Sequence, residues 1–321
     1  MNKYIGHTNQ IYGVEEVRLV GGKGDGMRLL QVRNGKGLEF TVSLDRAADI
    51  SRLSLCGSNF GYFAPCGYVS PKYYDGVGIG FLKSFTAGFI TTCGLCAVGS
   101  PCTDDGEETP LHGTISNIPC ENFGHWEKDG KLYIKATVRD AAIFARQLLL
   151  EREYIVSLTE NEIVLRDTVK NIGSVESPLQ LLYHCNMGYP LLDENAVISI
   201  PAKSVSPRNA HAATDIENCL KVEKPQNGYE EMCYYHEMQG DTIVSIFNPT
   251  IGKGLEMHYD ADNLKYFTQW KMMGEYDYVM GLEPGNCLPD GRNVMREKGI
   301  LETLAPGAER TFEIKFKFIE K

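Results

Sequence analysis

Short runs of alternating apolar and polar residues, separated by Gly, Asn and Asp, dominate the chain. Glu15–Val20, Met27–Val32, Leu38–Leu44 and Leu132–Val138 are such runs. So are Leu148–Leu158, Glu162–Val169, Leu179–Tyr183, Ala196–Ile200 and Thr242–Phe247. Gly254–Tyr259, Leu264–Trp270, Tyr278–Glu283 and Thr311–Phe318 complete the series. A period of two buries one face of a strand and wets the other. Asn34-Gly35 between the second and third runs, and Thr159-Glu160-Asn161 between Leu148–Leu158 and Glu162–Val169, predict hairpins. Helical periodicity is confined to Ala47–Leu55 and Asn293–Leu301, each good for a turn or two. About a dozen strands without βαβ spacing predict an all-β, large antiparallel sandwich. No linker, charge block or repeat divides residues 1–321, so one domain is expected.

Gly61 to Asn122 breaks the strand rhythm. It is rich in Gly, Cys, Thr and Pro, yet it carries Tyr62, Phe63, Tyr68, Tyr73, Tyr74, Phe81, Phe85 and Phe89. So many aromatic residues argue for order, and a long ordered irregular segment is where a sheet protein builds a pocket.

Composition narrows the function classes. The 321 residues are 43% hydrophobic, and 32 basic against 42 acidic residues give a net charge of −10. No basic block offers a footprint for nucleic acid or an anionic membrane. No run approaches the ~18 apolar residues of a membrane span. The opening Met-Asn-Lys-Tyr-Ile-Gly-His lacks an apolar core, so no signal peptide is expected. Ten cysteines then read as reduced thiols in a cytoplasm.

Candidate chemistry sits at few positions. Gly76-Val-Gly78-Ile-Gly80 lacks the third glycine of a dinucleotide fingerprint and reads as a tight loop. Cys93-Gly-Leu-Cys96 has no second pair, so buried inert thiols are expected. His112 follows an acidic stretch and precedes Gly113, which places it in an exposed turn. His184 is read at the C-terminal end of Leu179–Tyr183, either lining a cavity or bonded to a core carbonyl. Glu283 is read at a strand end before Pro284, which favours an extended backbone. It is either a rim carboxylate or a general base whose pKa is raised by apolar neighbours. Asp45-Arg46 is read as an ion pair at a strand exit, with Arg46 a possible donor to sugar hydroxyls.

Five segments together resemble the galactose mutarotase-like superfamily, in its aldose 1-epimerase-like branch of unknown function. They are Asp45–Ile50, Ser84–Cys96, Leu111–Pro119, Tyr183–Leu191 and Gly281–Asn286. The resemblance implies a carbohydrate cleft on one face of a large antiparallel β-sandwich. It implies that Glu283, His184 and His112 act on an anomeric centre: Glu283 as base, His184 as acid, and His112 as donor to the ring oxygen or polarised carbonyl. Arg46, Asn186, Gln269 and Trp270 become candidate sugar contacts, Trp270 by stacking on an apolar sugar face. The Asn-Arg pair of galactose mutarotases is missing in that form, and Ala47-Ala48 stands where the branch more often has Gly-Met. The chemistry needs no metal, nucleotide or other cofactor, and the expected partner is a small-molecule sugar. Three alternatives stay open. In the first, the two histidines and the glutamate serve a metal-dependent sugar isomerase or epimerase. In the second, the chain is a non-catalytic sugar-binding protein. A sugar-phosphate epimerase would draw its cations from Arg46, Lys83, Lys271 and Arg292.

Overall fold

A computed structural model describes residues 3–321, so the first two residues of the stretch read for an export signal lie outside it. Every strand ladder within its sheets is antiparallel. The back sheet has eight strands, in the order Asn122–Lys128, Lys131–Ala141, Gln147–Ser157, Glu162–Asn171, Glu309–Glu320, Lys253–Asp260, Asp241–Asn248 and Val197–Ser199. The front sheet has six, ordered Ser204–Pro207, Met232–Glu237, Tyr266–Met273, Tyr278–Gly285, Gln180–Met187 and Ile90–Leu95. A five-stranded sheet from Gly13–Arg18 to Ser58–Asn59 completes the frame. Both predicted hairpins form, with Arg33 opposite Glu39 and Val156 opposite Ile163.

Alternation explains how the layers meet. In Lys131–Ala141 every second side chain is buried, whereas Gln180–Met187 is buried along its whole length. Its Leu181, Tyr183, Cys185 and Met187 enter a core that runs from Leu30 to Phe318. Its other face carries Leu182, His184 and Asn186, and the irregular segment covers that face: Phe85 packs edge-on against His184 at 5.2 Å. A strand buried on both faces loses the clean alternation of a half-wet one.

Several expectations need correcting. Ala47–Leu55 is not helical; Asp49–Leu55 is a strand, paired with Leu38–Ser43. Ala47 and Ala48 sit at φ 51° and 56°, in the left-handed region, and make the turn into it. The second helical stretch shortens to Arg292–Glu297. His184 and Glu283 are not at strand ends, because pairing on both sides carries their strands on to Met187 and Gly285. Cys93 and Cys96 are buried free thiols. No helix among the described residues is long and apolar enough to cross a membrane.

Candidate active site

Register assembles the site. On the front sheet His184 pairs with Thr91 on one side. On the other side Leu182 faces Gly285 and Cys185 faces Leu282, which sets His184 across from Glu283. Glu283 in turn pairs with Thr268. Residues in one row of a sheet point the same way, so an imidazole, a carboxyl and a hydroxyl emerge side by side. The adjacent row holds Cys233, Trp270, Gly281 and Asn186. Gly281 leaves the gap the carboxyl group fills: a Cβ there would lie 2.2 Å from Glu283 Oε1 and 2.9 Å from Trp270 Cβ. Gly281→Ala is therefore expected to displace the carboxyl group and lower any acid–base activity at least about tenfold. It should also cost about 1–3 kcal/mol of stability. Kinetics beside a urea titration separate the two effects.

His112 arrives from the irregular segment. Its backbone is left-handed, φ 58°, which histidine tolerates better than most residues. Its N–H donates to Gly99 O (2.9 Å), and its carbonyl accepts from Gly94 N (3.1 Å). The ring is not in an exposed turn as expected. It packs edge-on to His184 at 5.5 Å and against Phe81 at 5.3 Å.

These groups open into a cavity of about 320 Å³, the size of a small-ligand pocket. His112, His184, Glu283, Thr268 and Trp270 line it, with Phe81, Phe85 and Leu111 as an apolar wall. His184 Nδ1 and Glu283 Oε1 approach to 3.3 Å without hydrogen-bond geometry. Together with His112 Nδ1 and Thr268 Oγ1, they are buried polar atoms with no hydrogen-bond partner in the protein. Such groups are costly and rare in a folded interior. All four face one cavity, where a single polar molecule would be within reach of each.

Burial sets the protonation states. It lifts Glu283 well above the usual carboxylate range, helped by the charge of Glu231 and opposed by Arg208. It lowers His184 to about 4. It also holds His112 well below the ordinary histidine value, with smaller contributions from His184 and Arg208. Burial thus favours the protonated carboxyl and the neutral imidazoles, so within the pair Glu283 is the preferred holder of a proton.

The other expected contacts divide. Trp270 lines the cavity, edge-on to His184 at 5.3 Å, and its Nε1 donates to Glu231 Oε2 (2.6 Å). Gln269, one residue earlier, points to the opposite face of the sheet, where it bonds His236 Nε2 (2.9 Å) and Cys219 O (2.6 Å). Asn186 does not line the cavity; its Nδ2 donates to His184 O (2.8 Å). Arg46 is also absent from the lining. It is buried and donates to Ser116 O (2.6 Å) and Val69 O (3.1 Å), while Asp45 pairs instead with Arg28 (2.7 Å). Lys83, Lys271 and Arg292 are held by Asp75, Glu223 and Asp104, and none lines the cavity. Among the described residues no group of three or more His, Cys, Asp or Glu is placed to hold a metal ion. Sequence reasoning missed Arg208, Glu231 and Thr268. Thr268 was within reach, since it is in step with Trp270 on one strand.

Comparison with known proteins follows this geometry. Residues 24–318 match a family described as a domain of unknown function, DUF4432. No curated protein matches the chain. A protein of Klebsiella pneumoniae provisionally assigned as an aldose 1-epimerase is 24% identical, with a TM-score of 0.91 over 98% of this chain and 86% of that one. A galactose mutarotase-like protein of Clostridium acetobutylicum is 12% identical, with a TM-score of 0.71 over 98% and 100%. Galactose 1-epimerase of Lactobacillus acidophilus is 13% identical, with a TM-score of 0.62 over 96% and 99%. These likenesses establish the fold.

Proposed function

The chain belongs to the DUF4432 family and has the galactose mutarotase-like fold, and on that premise we propose that it is an aldose 1-epimerase. It would interconvert the α and β anomers of an aldose by acid–base ring opening with protein side chains. The supporting observation is the cavity in which His112, His184, Glu283 and Thr268 present unpartnered polar atoms, with acid and base 3.3 Å apart.

Ring opening takes a proton from the C1 hydroxyl and gives one to the ring oxygen as the C1–O bond breaks. The resulting aldehyde rotates about C1–C2, and closure from the other face reverses both transfers. Burial favours the proton on Glu283 over His184. The arrangement expected from the sequence, Glu283 as base and His184 as acid, is the same pair after one proton has crossed the gap. Sugar hydroxyls that donate to the carboxylate favour that crossing. Because closure is opening run backwards, each group serves in both roles. His112 stands where it can donate to the ring oxygen or, after opening, to the carbonyl. Trp270 and the wall of Phe81 and Phe85 suit the apolar C–H face of a pyranose.

We further propose that residues 1–321 act as one domain, in a reducing cytoplasm. The core that runs from Leu30 to Phe318 supports the first, and ten free cysteines support the second.

The test is exchange NMR or polarimetry on freshly dissolved D-galactose, D-glucose, D-xylose and L-arabinose. At least one should approach anomeric equilibrium faster than in buffer, in proportion to protein concentration. Acceleration of none of them would overturn the proposal.

A further inference from the structure

The acid–base scheme makes no use of Glu231, which lines the same cavity. It immediately precedes the strand Met232–Glu237, and its side chain is exposed at the mouth. An indole N–H needs only an acceptor, and a neutral one would do. Here the acceptor is a carboxylate, so the bond that fixes the Trp270 ring also brings a negative charge to the cavity (2.6 Å).

The charges around it are unevenly matched. Arg208 is the one cationic lysine or arginine among the lining residues. Its guanidinium is already engaged: Nη2 donates to Ser100 Oγ (2.9 Å) and Pro289 O (3.2 Å), and Nε lies 3.6 Å from Asp290. The other cations once eligible for a phosphate are tied up elsewhere: Arg46 on carbonyl oxygens, Lys83, Lys271 and Arg292 on carboxylates. An aldose bearing a phosphate or carboxylate would meet the charge of Glu231, and the one lining cation, Arg208, already shares its charge with Asp290. A neutral aldose would find in Glu231 a hydrogen-bond acceptor and no like charge to repel it.

We propose that Glu231 is a positioning and specificity-determining residue, which holds Trp270 as the stacking wall and turns anionic aldoses away from the cavity. This rests on the anomerase reading for its turnover readout and on binding alone for the other. The charge of Glu231 also helps keep the proton on Glu283, which places it within electrostatic reach of the reacting pair.

The experiment uses a Trp126→Phe background, in which Trp270 is the only remaining indole. Glu231→Gln keeps an acceptor for the indole but removes the charge; Glu231→Ala removes both. Acrylamide quenching of Trp270 should rise in Glu231→Ala and stay near the parent value in Glu231→Gln. The preference for whichever of the four aldoses the parent accelerates most (D-galactose if it accelerates none) over the terminal phosphate ester of that sugar, as a ratio of kcat/KM, should fall about tenfold or more in both variants. If the parent turns over no aldose, the functional reading fails. Glu231 is then judged on the ratio of the two sugars' dissociation constants, read from Trp270 emission. An unchanged sugar preference in Glu231→Gln, or unchanged quenching in Glu231→Ala, would overturn the inference.

Discussion

Replacing Glu283 by Gln is expected to slow anomer exchange by ~10²–10⁴-fold, the usual contribution of a general acid or base, while making the folded protein more stable above mildly acidic pH. Both effects come from the same burial. In the unfolded chain the carboxyl ionises near its ordinary value of 4.5, but in the fold burial lifts it well above that. The folded state therefore keeps a proton that the unfolded state releases. Its stability falls as pH rises from about 4.5 towards the raised value and is level beyond it. Glutamine has no proton to lose, so its advantage should be small at pH 4.5 and grow as the pH rises from there towards the raised value, with melting temperature as the measure. His184 works the other way. Its value drops from 6.5 to about 4, so unfolding takes up a proton below pH 6.5. Stability is lost as pH falls from 6.5 to about 4. Through that lower value a second proton reaches the acid–base pair, and activity should fall with it. A Glu283→Gln protein that exchanges anomers like the parent would remove this carboxyl from the mechanism. One whose advantage over the parent does not grow as the pH rises would show that the carboxyl's burial carries no such cost.

Much of this was legible in the sequence, and the exceptions have a common cause. Hairpins with turn residues, and strands with one wet face, declared themselves: Arg33–Glu39 and Val156–Ile163 pair as their spacing requires. The strands that build the site declared themselves only in part. Gln180–Met187 and Tyr278–Gly285 are covered on both faces, so their polar residues look like interruptions and their ends are read too early. Ile90–Leu95 is buried at all six positions and showed no period at all. Of the adjacent Gln269 and Trp270, a strand offers only one to each face, and sequence alone gave no way to choose. Arg46 failed because its partners are backbone carbonyls of Ser116 and Val69, which no side-chain motif announces. Arg208 and Glu231 flank the short strands Ser204–Pro207 and Met232–Glu237, neither of which the alternation revealed.

The position most exposed to a single change lies behind the site. Arg152 is fully buried, and it joins the two large sheets. Its Nε and Nη2 grip both oxygens of Asp167 (2.9 and 2.6 Å), its facing residue on the back sheet. Its remaining donors reach Asp49, Ala47 O (3.0 Å) and Thr92 Oγ1 (2.7 Å). Tyr183 closes the network by donating to Asp167 Oδ2 (2.9 Å). Thr92 and Tyr183 are the chain neighbours of Thr91 and His184, so the network fixes the front-sheet strands that carry the site. Arg152→Ala would leave two buried carboxylates, Asp49 and Asp167, without the counter-charge they share. Removing one partner of a buried ionic group costs about 3–5 kcal/mol, against a typical total stability of 5–15 kcal/mol. The variant is expected to lose that much in a urea titration at pH 7. The deficit should shrink on acidification, because protonating Asp49, which burial already raises, removes part of the stranded charge. Adding Asp49→Asn and Asp167→Asn to Arg152→Met should likewise recover part of the loss, since the penalty lies in uncompensated charge more than in lost contacts. A loss below about 1 kcal/mol for Arg152→Ala would mean that the two sheets are held by apolar packing alone.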